Sequence, residues 1–221
     1  MAGIPTRKLL LFDCDGTLVD SADIIHRCME LTFADFGKPA PALAVTKSII
    51  GLTLHLAIAR MLAVGVDAEI HAMTARYKLH FMAHRESGGT LEPAYDGMLA
   101  AVETLACRPD TVLGIVTGKS RRGLDAILAH HSLTGRFAPI RTSDDCPSKP
   151  HPAMVLECCG EAGIAPADTY VIGDAVFDMQ MARSAGATAI GVSWGYGASA
   201  ELRAAGAHHV VDHASALAGL I

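Results

Sequence analysis

The chain has 221 residues, of which 51% are hydrophobic, and it carries a formal net charge of −5 at pH 7. This length permits one large domain or a core with a smaller insert, and the apolar content is sufficient for a buried core. A negative net charge provides no broad positive field for a nucleic-acid backbone or an anionic membrane surface, so we expect neither as a partner.

The first apolar run, residues 8–12, predicts a strand buried on both faces of a parallel sheet. It stops at Asp13, which makes it too short for the apolar core of a signal peptide, so we expect a cytoplasmic protein. Similar runs predict further strands at 111–117, 169–174, 187–192 and 208–212, with a weaker one at 137–141. Each follows a stretch of helical character, and this alternation predicts an α/β fold with a Rossmann-like parallel sheet.

The long interval between the first two predicted strands contains more residues than a crossover needs, which is about a dozen. Its larger part, residues 21–85, has apolar residues at helical spacing and no strand signals. We therefore predict an inserted all-helical domain over 20–88, and an α/β core formed by 1–19 and 89–221. The junctions are predicted at 19–21 and at the flexible connector 87–90.

Two carboxylates follow the first predicted strand, in the segment Asp13-Cys14-Asp15-Gly16-Thr17. Because strand side chains alternate, Asp13 and Asp15 project toward the same side, and open α/β sheets bind ligands at this end of their strands. The two carboxylates would repel each other and any phosphate. The arrangement therefore predicts a bound divalent cation, and oxygen ligands favour Mg²⁺.

A second pair of carboxylates lies at the end of the predicted strand 169–174. Asp174 ends this strand, and it is predicted to complete the oxygen ligands of the metal. Asp178 follows near the start of a predicted helix, and two interpretations stay open for it. It is a metal ligand, or it caps the helix, since Asp is favoured at helix N-termini whatever the function.

Two further segments lie where they could contact a phosphate. Thr117 and Gly118 follow a predicted strand and precede a helix, so a hydroxyl and backbone N–H groups could hold phosphate oxygens, although such a turn alone is weak evidence. Lys149 precedes Pro150, which favours an extended backbone and lets the ammonium face the strand ends. Taken alone, a lysine of this kind is more often simply solvated.

In this order, the segments DxDGT at 13–17, Thr-Gly at 117–118, Lys-Pro at 149–150 and GDxxxD at 173–178 closely resemble the motifs of the haloacid dehalogenase superfamily. The resemblance covers nearly the whole chain. A helical insert just after the first motif is similar to the cap of phosphoglycolate phosphatases and beta-phosphoglucomutases. The resemblance implies a phosphatase that acts on a small phosphorylated metabolite, either phosphoglycolate-like or a sugar phosphate, as a monomer or homodimer.

The resemblance also implies the role of each motif residue. Asp13 would be the nucleophile that takes the phosphoryl group, and Asp15 would be the general acid and then the general base. The ligands of Mg²⁺ would be the Asp13 carboxylate, the Asp15 backbone carbonyl and the carboxylates of Asp174 and, directly or through water, Asp178. The groups that hold the transferring phosphoryl would be Thr117, the Gly118 amide and Lys149.

Several alternatives remain open. Dehalogenases of this superfamily attack carbon and need neither a second aspartate nor a metal, so Asp15 and Asp174 favour phosphorus chemistry. A phosphomutase shares the same core, but beta-phosphoglucomutases usually place Arg where Leu54 stands. A phosphonatase would need a cap lysine, and none of Lys38, Lys47 and Lys78 lies in a recognisable context. From a different class, the protein would bind a phosphorylated ligand without turnover.

The glycine-rich segment 193–197 follows the predicted strand 187–192. It is similar to a stretch near the active-site rim of phosphoglycolate-phosphatase-like proteins. We predict that it shapes a turn rather than binds a ligand.

Overall fold

The computed structural model describes residues 7–88 and 92–221. Within these residues, six parallel strands form one sheet in the order β3-β2-β1-β4-β5-β6. The strands are β1 (Lys8–Phe12), β2 (Thr111–Val116), β3 (Ile140–Arg141), β4 (Thr169–Gly173), β5 (Thr188–Val192) and β6 (His209–Val211). The parallel α/β sheet predicted from the sequence is therefore confirmed.

The α-helices of the described residues fall into two groups. Four lie between β1 and β2 in the first part of the interval: α1 (Ala22–Asp35), α2 (Leu43–Lys47), α3 (Leu54–Leu62) and α4 (Ala68–Glu86). The others accompany the sheet: α5 (Met98–Ala106), α6 (Arg121–His130), α7 (Ala153–Ala162), α8 (Val176–Ala185), α9 (Ser199–Ala204) and α10 (Leu217–Leu220).

The central strand β1 is buried on both faces of the sheet. Leu10 and Phe12 pack into the core that includes side chains of α5 and α6, whereas Leu9 and Leu11 pack into the core that includes side chains of α7 and α8. A strand covered on both faces has no solvated side, and this explains why its sequence is a continuous apolar run rather than an alternating one.

The strand predicted at 137–141 is observed only as the two-residue β3. Pro139 has no backbone N–H and cannot donate to the sheet, although its carbonyl accepts the N–H of Ile115 at 3.0 Å. Phe137 is buried and packs edge-on against Phe12, with 6.0 Å between ring centroids. This segment therefore contributes a core side chain rather than further strand pairing.

The helices α1 to α4, called the helical insert below, have their own apolar core, which includes Phe33, Ile58 and Met73. No strand occurs in its described residues, as the helical spacing predicts. Gly89 and Thr90 of the predicted connector lie outside the described residues, so the domain division stays a prediction. None of the helices in the described part of the chain combines the length and apolarity that crossing a bilayer requires.

Tyr196, in the segment after β5, makes hydrogen bonds to the first junction between the core and the helical insert. Its hydroxyl accepts the backbone N–H of Ser21 at 2.8 Å and donates to Asp20 Oδ1 at 3.0 Å. Ser21 is 1% exposed, so its N–H depends on this partner rather than on water. The segment 193–197 thus forms the predicted bend and also binds the first junction.

We expect Tyr196→Phe to lower the free energy of unfolding by about 1–3 kcal/mol, because it leaves the buried N–H of Ser21 without a hydrogen bond. Urea unfolding measures this change. Tyr170→Phe is the matched control, since the Tyr170 hydroxyl makes no hydrogen bond to the described residues. Equal stability losses in the two variants would contradict a structural role for the Tyr196 hydroxyl.

Candidate active site

The candidate site lies where the chain connections reverse direction across the sheet. β1 is flanked by β2 on one side and β4 on the other, and the chain proceeds from β1 to β2 and β3 before it crosses to β4. The carboxyl ends of these three adjacent strands bring together Asp13, Thr117 and Asp174, all 1% exposed. Such a switch point is where open α/β sheets bind ligands.

Three carboxylates and one ammonium form a buried cluster at this edge. Oxygen atoms of Asp13, Asp174 and Asp178 all lie within 4.8 Å of one another. Lys149 Nζ lies 2.9 Å from Asp13 Oδ1 and 2.6 Å from Asp178 Oδ1, and its side chain is fully buried. The structure thus brings together residues from three separate segments of the chain, and Asp13 and Asp174 meet as their strand-end positions predict.

The cluster is not balanced in charge. Three ionised carboxylates and one ammonium would leave two uncompensated negative charges in a buried region. Burial raises the pKa of Asp13 to about 7 despite the opposing effect of Lys149, and burial together with the charges of Asp178 and Asp13 raises the pKa of Asp174 well above its usual range. Burial alone would lower the pKa of Lys149, but Asp13 and Asp178 outweigh it and raise that pKa.

The donor set fits a hard divalent cation. Asp13 Oδ2 is buried and has no hydrogen-bond partner among the described residues, so one carboxylate oxygen is available to a ligand. All the groups offered are oxygens, which Mg²⁺ and similar ions prefer. A charge of +2 would also offset the two uncompensated negative charges.

Asp178 caps a helix, as one of the two interpretations of its sequence position predicts, and it also belongs to the carboxylate cluster. Its Oδ2 accepts the backbone N–H of Ala175 at 3.0 Å, at the start of α8, while its Oδ1 accepts Lys149. One oxygen thus caps the helix, and the other holds the lysine of the cluster. Because its Oδ1 is held by an ammonium at 2.6 Å, which would compete with a cation, Asp178 suits support of the cluster better than the position of a principal metal ligand.

The turn after Asp13 must contain glycine. Gly16 has a φ of +82°, and a Cβ at this position would lie 2.2 Å from Asp174 Oδ2. The Asp174 carboxylate is held by the Thr17 hydroxyl at 3.2 Å and by the Tyr196 N–H at 2.8 Å. The two ligand-bearing loops are therefore packed directly against each other.

Asp15 has a partner that sequence reasoning missed. Lys119 Nζ lies 2.7 Å from Asp15 Oδ1 and 3.4 Å from Glu92 Oε1, and the Glu92 side chain is 2% exposed. Arg85, at the end of α4, reaches Glu92 Oε2 at 3.5 Å. The sequence could have indicated Lys119, because it directly follows the predicted Thr117-Gly118 turn. No motif in the neighbouring sequence indicates Glu92.

Thr117 and Gly118 lie at the contact between the core and the helical insert. The Thr117 hydroxyl accepts the N–H of Lys119 at 3.2 Å. A Cβ at Gly118 would lie 2.5 Å from the carbonyl oxygen of Gly51, so glycine permits the loop before α3 to approach the turn. A cavity of about 540 Å³ lies beside this contact and is lined by groups that include Asp15, Gly118 and Lys119.

Comparisons with known proteins identify relatives over most of the chain. The family described as haloacid dehalogenase-like hydrolase matches residues 10–192. A phosphoglycolate phosphatase of Thiobacillus denitrificans is 29% identical over 195 residues, which cover 86% of this chain and 84% of that protein. A protein of Dickeya dadantii named "Probable phosphatase IndB" is 31% identical over 216 residues, covering 96% of this chain and 93% of that protein.

The fold is also similar to solved structures. A haloacid dehalogenase-like family hydrolase from Streptococcus pneumoniae superimposes with a TM-score of 0.82 at 22% identity. The match covers 98% of this chain and 99% of the other. At this identity the likeness concerns the fold, and it extends over the helical insert as well as the sheet.

The charge imbalance predicts a pH-dependent stabilisation by Mg²⁺. The raised pKa of Asp13 means that the folded state retains a proton that the unfolded chain loses, so its contribution to stability is full below the ordinary pKa and is lost as pH rises through about 7. Mg²⁺ competes with these protons. We expect saturating Mg²⁺ to raise the melting temperature more at about pH 8 than at about pH 5.5.

The test is thermal unfolding at both pH values with Mg²⁺ or with a chelator. At about a hundredfold excess over the dissociation constant, the stabilisation is about 2.7 kcal/mol. Asp174→Asn, which removes one of the three negative charges, should lose most of it. A Mg²⁺ effect that is equal at both pH values, or unchanged in Asp174→Asn, would contradict binding at this cluster.

Proposed function

The chain belongs to the haloacid dehalogenase-like hydrolases, and we propose on this basis that it is a Mg²⁺-dependent phosphatase that forms an aspartyl-phosphate on Asp13. The observation that carries the proposal is the free Oδ2 of Asp13, which is buried beside Lys149 and two further carboxylates. The substrate is a small phosphorylated metabolite, as for the relatives named phosphoglycolate phosphatase.

In the first step, the Asp13 carboxylate attacks phosphorus and the bond from phosphorus to the ester oxygen breaks. Lys149 contacts Oδ1 of Asp13, and it holds a positive charge beside the nucleophilic carboxylate while negative charge moves toward the leaving group. Asp15 donates the proton that the leaving alkoxide needs. Thr117 and the Gly118 amide hold oxygens of the transferring phosphoryl.

In the second step, Asp15 takes a proton from water, which attacks phosphorus and releases Asp13. Lys119 holds the Asp15 carboxylate in position through an ion pair of 2.7 Å. The reaction thus proceeds through two displacements at phosphorus, each assisted by charged groups that the fold holds in place. These two steps replace one difficult direct hydrolysis.

The carboxylates of Asp13 and Asp174 and the Asp15 carbonyl would hold Mg²⁺, and Asp178 would support this site while it orients Lys149. When bound, the ion reduces the repulsion between the carboxylates and the phosphate and stabilises charge at the phosphoryl oxygens. These roles agree with the free oxygen of Asp13 and with the two donors that Asp178 already holds.

The helical insert, with its predicted boundaries at 20 and 88, acts in this proposal as a cap that excludes water from the reacting groups. Its loop before α3 contacts the core, since the Thr53 N–H donates to Ser148 Oγ at 2.9 Å, next to Lys149. Leu54 lines the cavity where resembling mutases carry Arg. This apolar residue favours hydrolysis of a monoester over transfer between two phosphate positions.

Turnover of a generic aryl phosphate should require Mg²⁺, and Asp13→Asn should lower kcat by about a thousandfold or more, because it removes the nucleophile. Asp15→Asn should still be phosphorylated by the aryl ester, whose leaving group needs little protonation, but should hydrolyse the intermediate slowly. Intact-protein mass spectrometry should therefore detect one added phosphoryl group in Asp15→Asn.

The double variant Asp13→Asn, Asp15→Asn is the matched control for this trapping experiment, and it should acquire no phosphoryl group. Asp212→Asn, which changes an exposed aspartate outside the cavity and the proposed catalytic set, controls for a general effect of removing negative charge. Undiminished turnover in Asp13→Asn, or a phosphoryl group on the double variant, would refute the proposal.

A further inference from the structure

The cavity between the core and the helical insert has two chemically different walls. The core contributes polar or glycine residues, among them Asp15, Gly118, Lys119 and Ser120. The helical insert contributes mainly apolar and aromatic side chains: Ile25, Met29, Leu54, Tyr77, Phe81 and Met82. One wall thus suits a phosphate and the other an apolar group.

The cavity is present while the insert already contacts the core. The loop before α3 reaches the core through the bond from Thr53 to Ser148 and the close approach of Gly51 to Gly118. A second contact joins the core and the insert: Arg122 of α6 lies 3.6 Å from Met82 Sδ of α4. About 540 Å³ remains between these contacts, within the roughly 300–1,000 Å³ of pockets that hold drug-sized ligands.

The buried cation at the core wall of the cavity is poorly placed to receive a small acid. Lys119 is already paired with Asp15 and Glu92, and Arg85 contacts the same Glu92. Lys78 and Arg122 also line the cavity, but both are exposed, so water screens their attraction for an acid. A carboxylate one carbon from the phosphate would therefore compete with Asp15 and Glu92 for Lys119.

We propose that the substrate is a phosphate monoester of an alcohol with an extended, mainly apolar part, larger than a two-carbon acid. The inference rests on the proposed function and narrows its substrate class. Leu54 of α3 and Met82 of α4, both on the wall that the helical insert contributes, are specificity-determining residues that contact this apolar part. The phosphate lies at the core wall, beside Asp15 and Gly118.

Binding of n-alkylphosphonates, measured by calorimetry with Mg²⁺ present, tests the inference without turnover. Each buried methylene should tighten binding about fourfold, so affinity should rise from methyl- to hexylphosphonate until the wall is covered. The heat-capacity change of binding should become more negative along the series, as apolar burial requires. Butylphosphonate should bind more tightly than phosphonopropionate, the non-hydrolysable counterpart of a phosphorylated two-carbon acid.

Two variants and two matched controls locate the effect. Leu54→Ser and Met82→Ser should each reduce the ratio of hexyl- to methylphosphonate affinity by roughly fivefold, because they replace apolar wall with a hydroxyl. Leu56 is 37% exposed on α3 and Leu79 is 54% exposed on α4, and neither lines the cavity. Leu56→Ser and Leu79→Ser should therefore leave that ratio unchanged.

An affinity that is flat or falls with chain length, or tighter binding of phosphonopropionate than of butylphosphonate, would overturn the substrate class. So would equal effects of the cavity variants and their controls. Hydrolysis of the matching alkyl phosphates is measured separately. Absence of hydrolysis together with a rising affinity series would refute the phosphatase proposal and leave the apolar site standing.

Discussion

The repulsion among three buried carboxylates is the constraint on which the rest of the site depends. Asp13, Asp174 and Asp178 lie within one small buried region, and among the described residues Lys149 is the cation that contacts them. Such a cluster is costly to bury unless protons or cations offset its charge. The same imbalance makes the site suited to phosphate chemistry, because a cation that neutralises the cluster also lets a carboxylate approach a phosphate.

The fold imposes this proximity through the backbone rather than through side-chain flexibility. Adjacent parallel strands end at one edge, and Gly16 lets the loop after β1 pack against Asp174 without a Cβ between them. Tyr196 connects the cluster to the helical insert, since its N–H binds Asp174 and its hydroxyl binds Ser21. A single residue, Tyr196, therefore links the backbone at the first junction to the carboxylate cluster.

The sheet and the carboxylate cluster could be predicted because both follow from strand periodicity and from the common edge of parallel strands. These two arguments were sufficient to predict that Asp13 and Asp174 lie close together. Glu92 could not be predicted, since its contact with Lys119 depends on how the chain returns from the helical insert. The loss of the three predicted strand residues before β3 follows from Pro139, whose missing N–H a periodicity argument overlooks. The apolar wall of the cavity depends on helix orientation, which a single sequence leaves undetermined.

The most direct test of the central claim is the position of a metal in crystals of the protein grown with Mn²⁺, which accepts the same oxygen ligands and has an anomalous signal. We expect a strong anomalous peak within coordination distance of Asp13 Oδ2 and the Asp174 carboxylate, with Lys149 still in contact with Asp178. No peak at this cluster at saturating Mn²⁺, or a peak held by other residues alone, would contradict the claim that a divalent cation balances these three carboxylates.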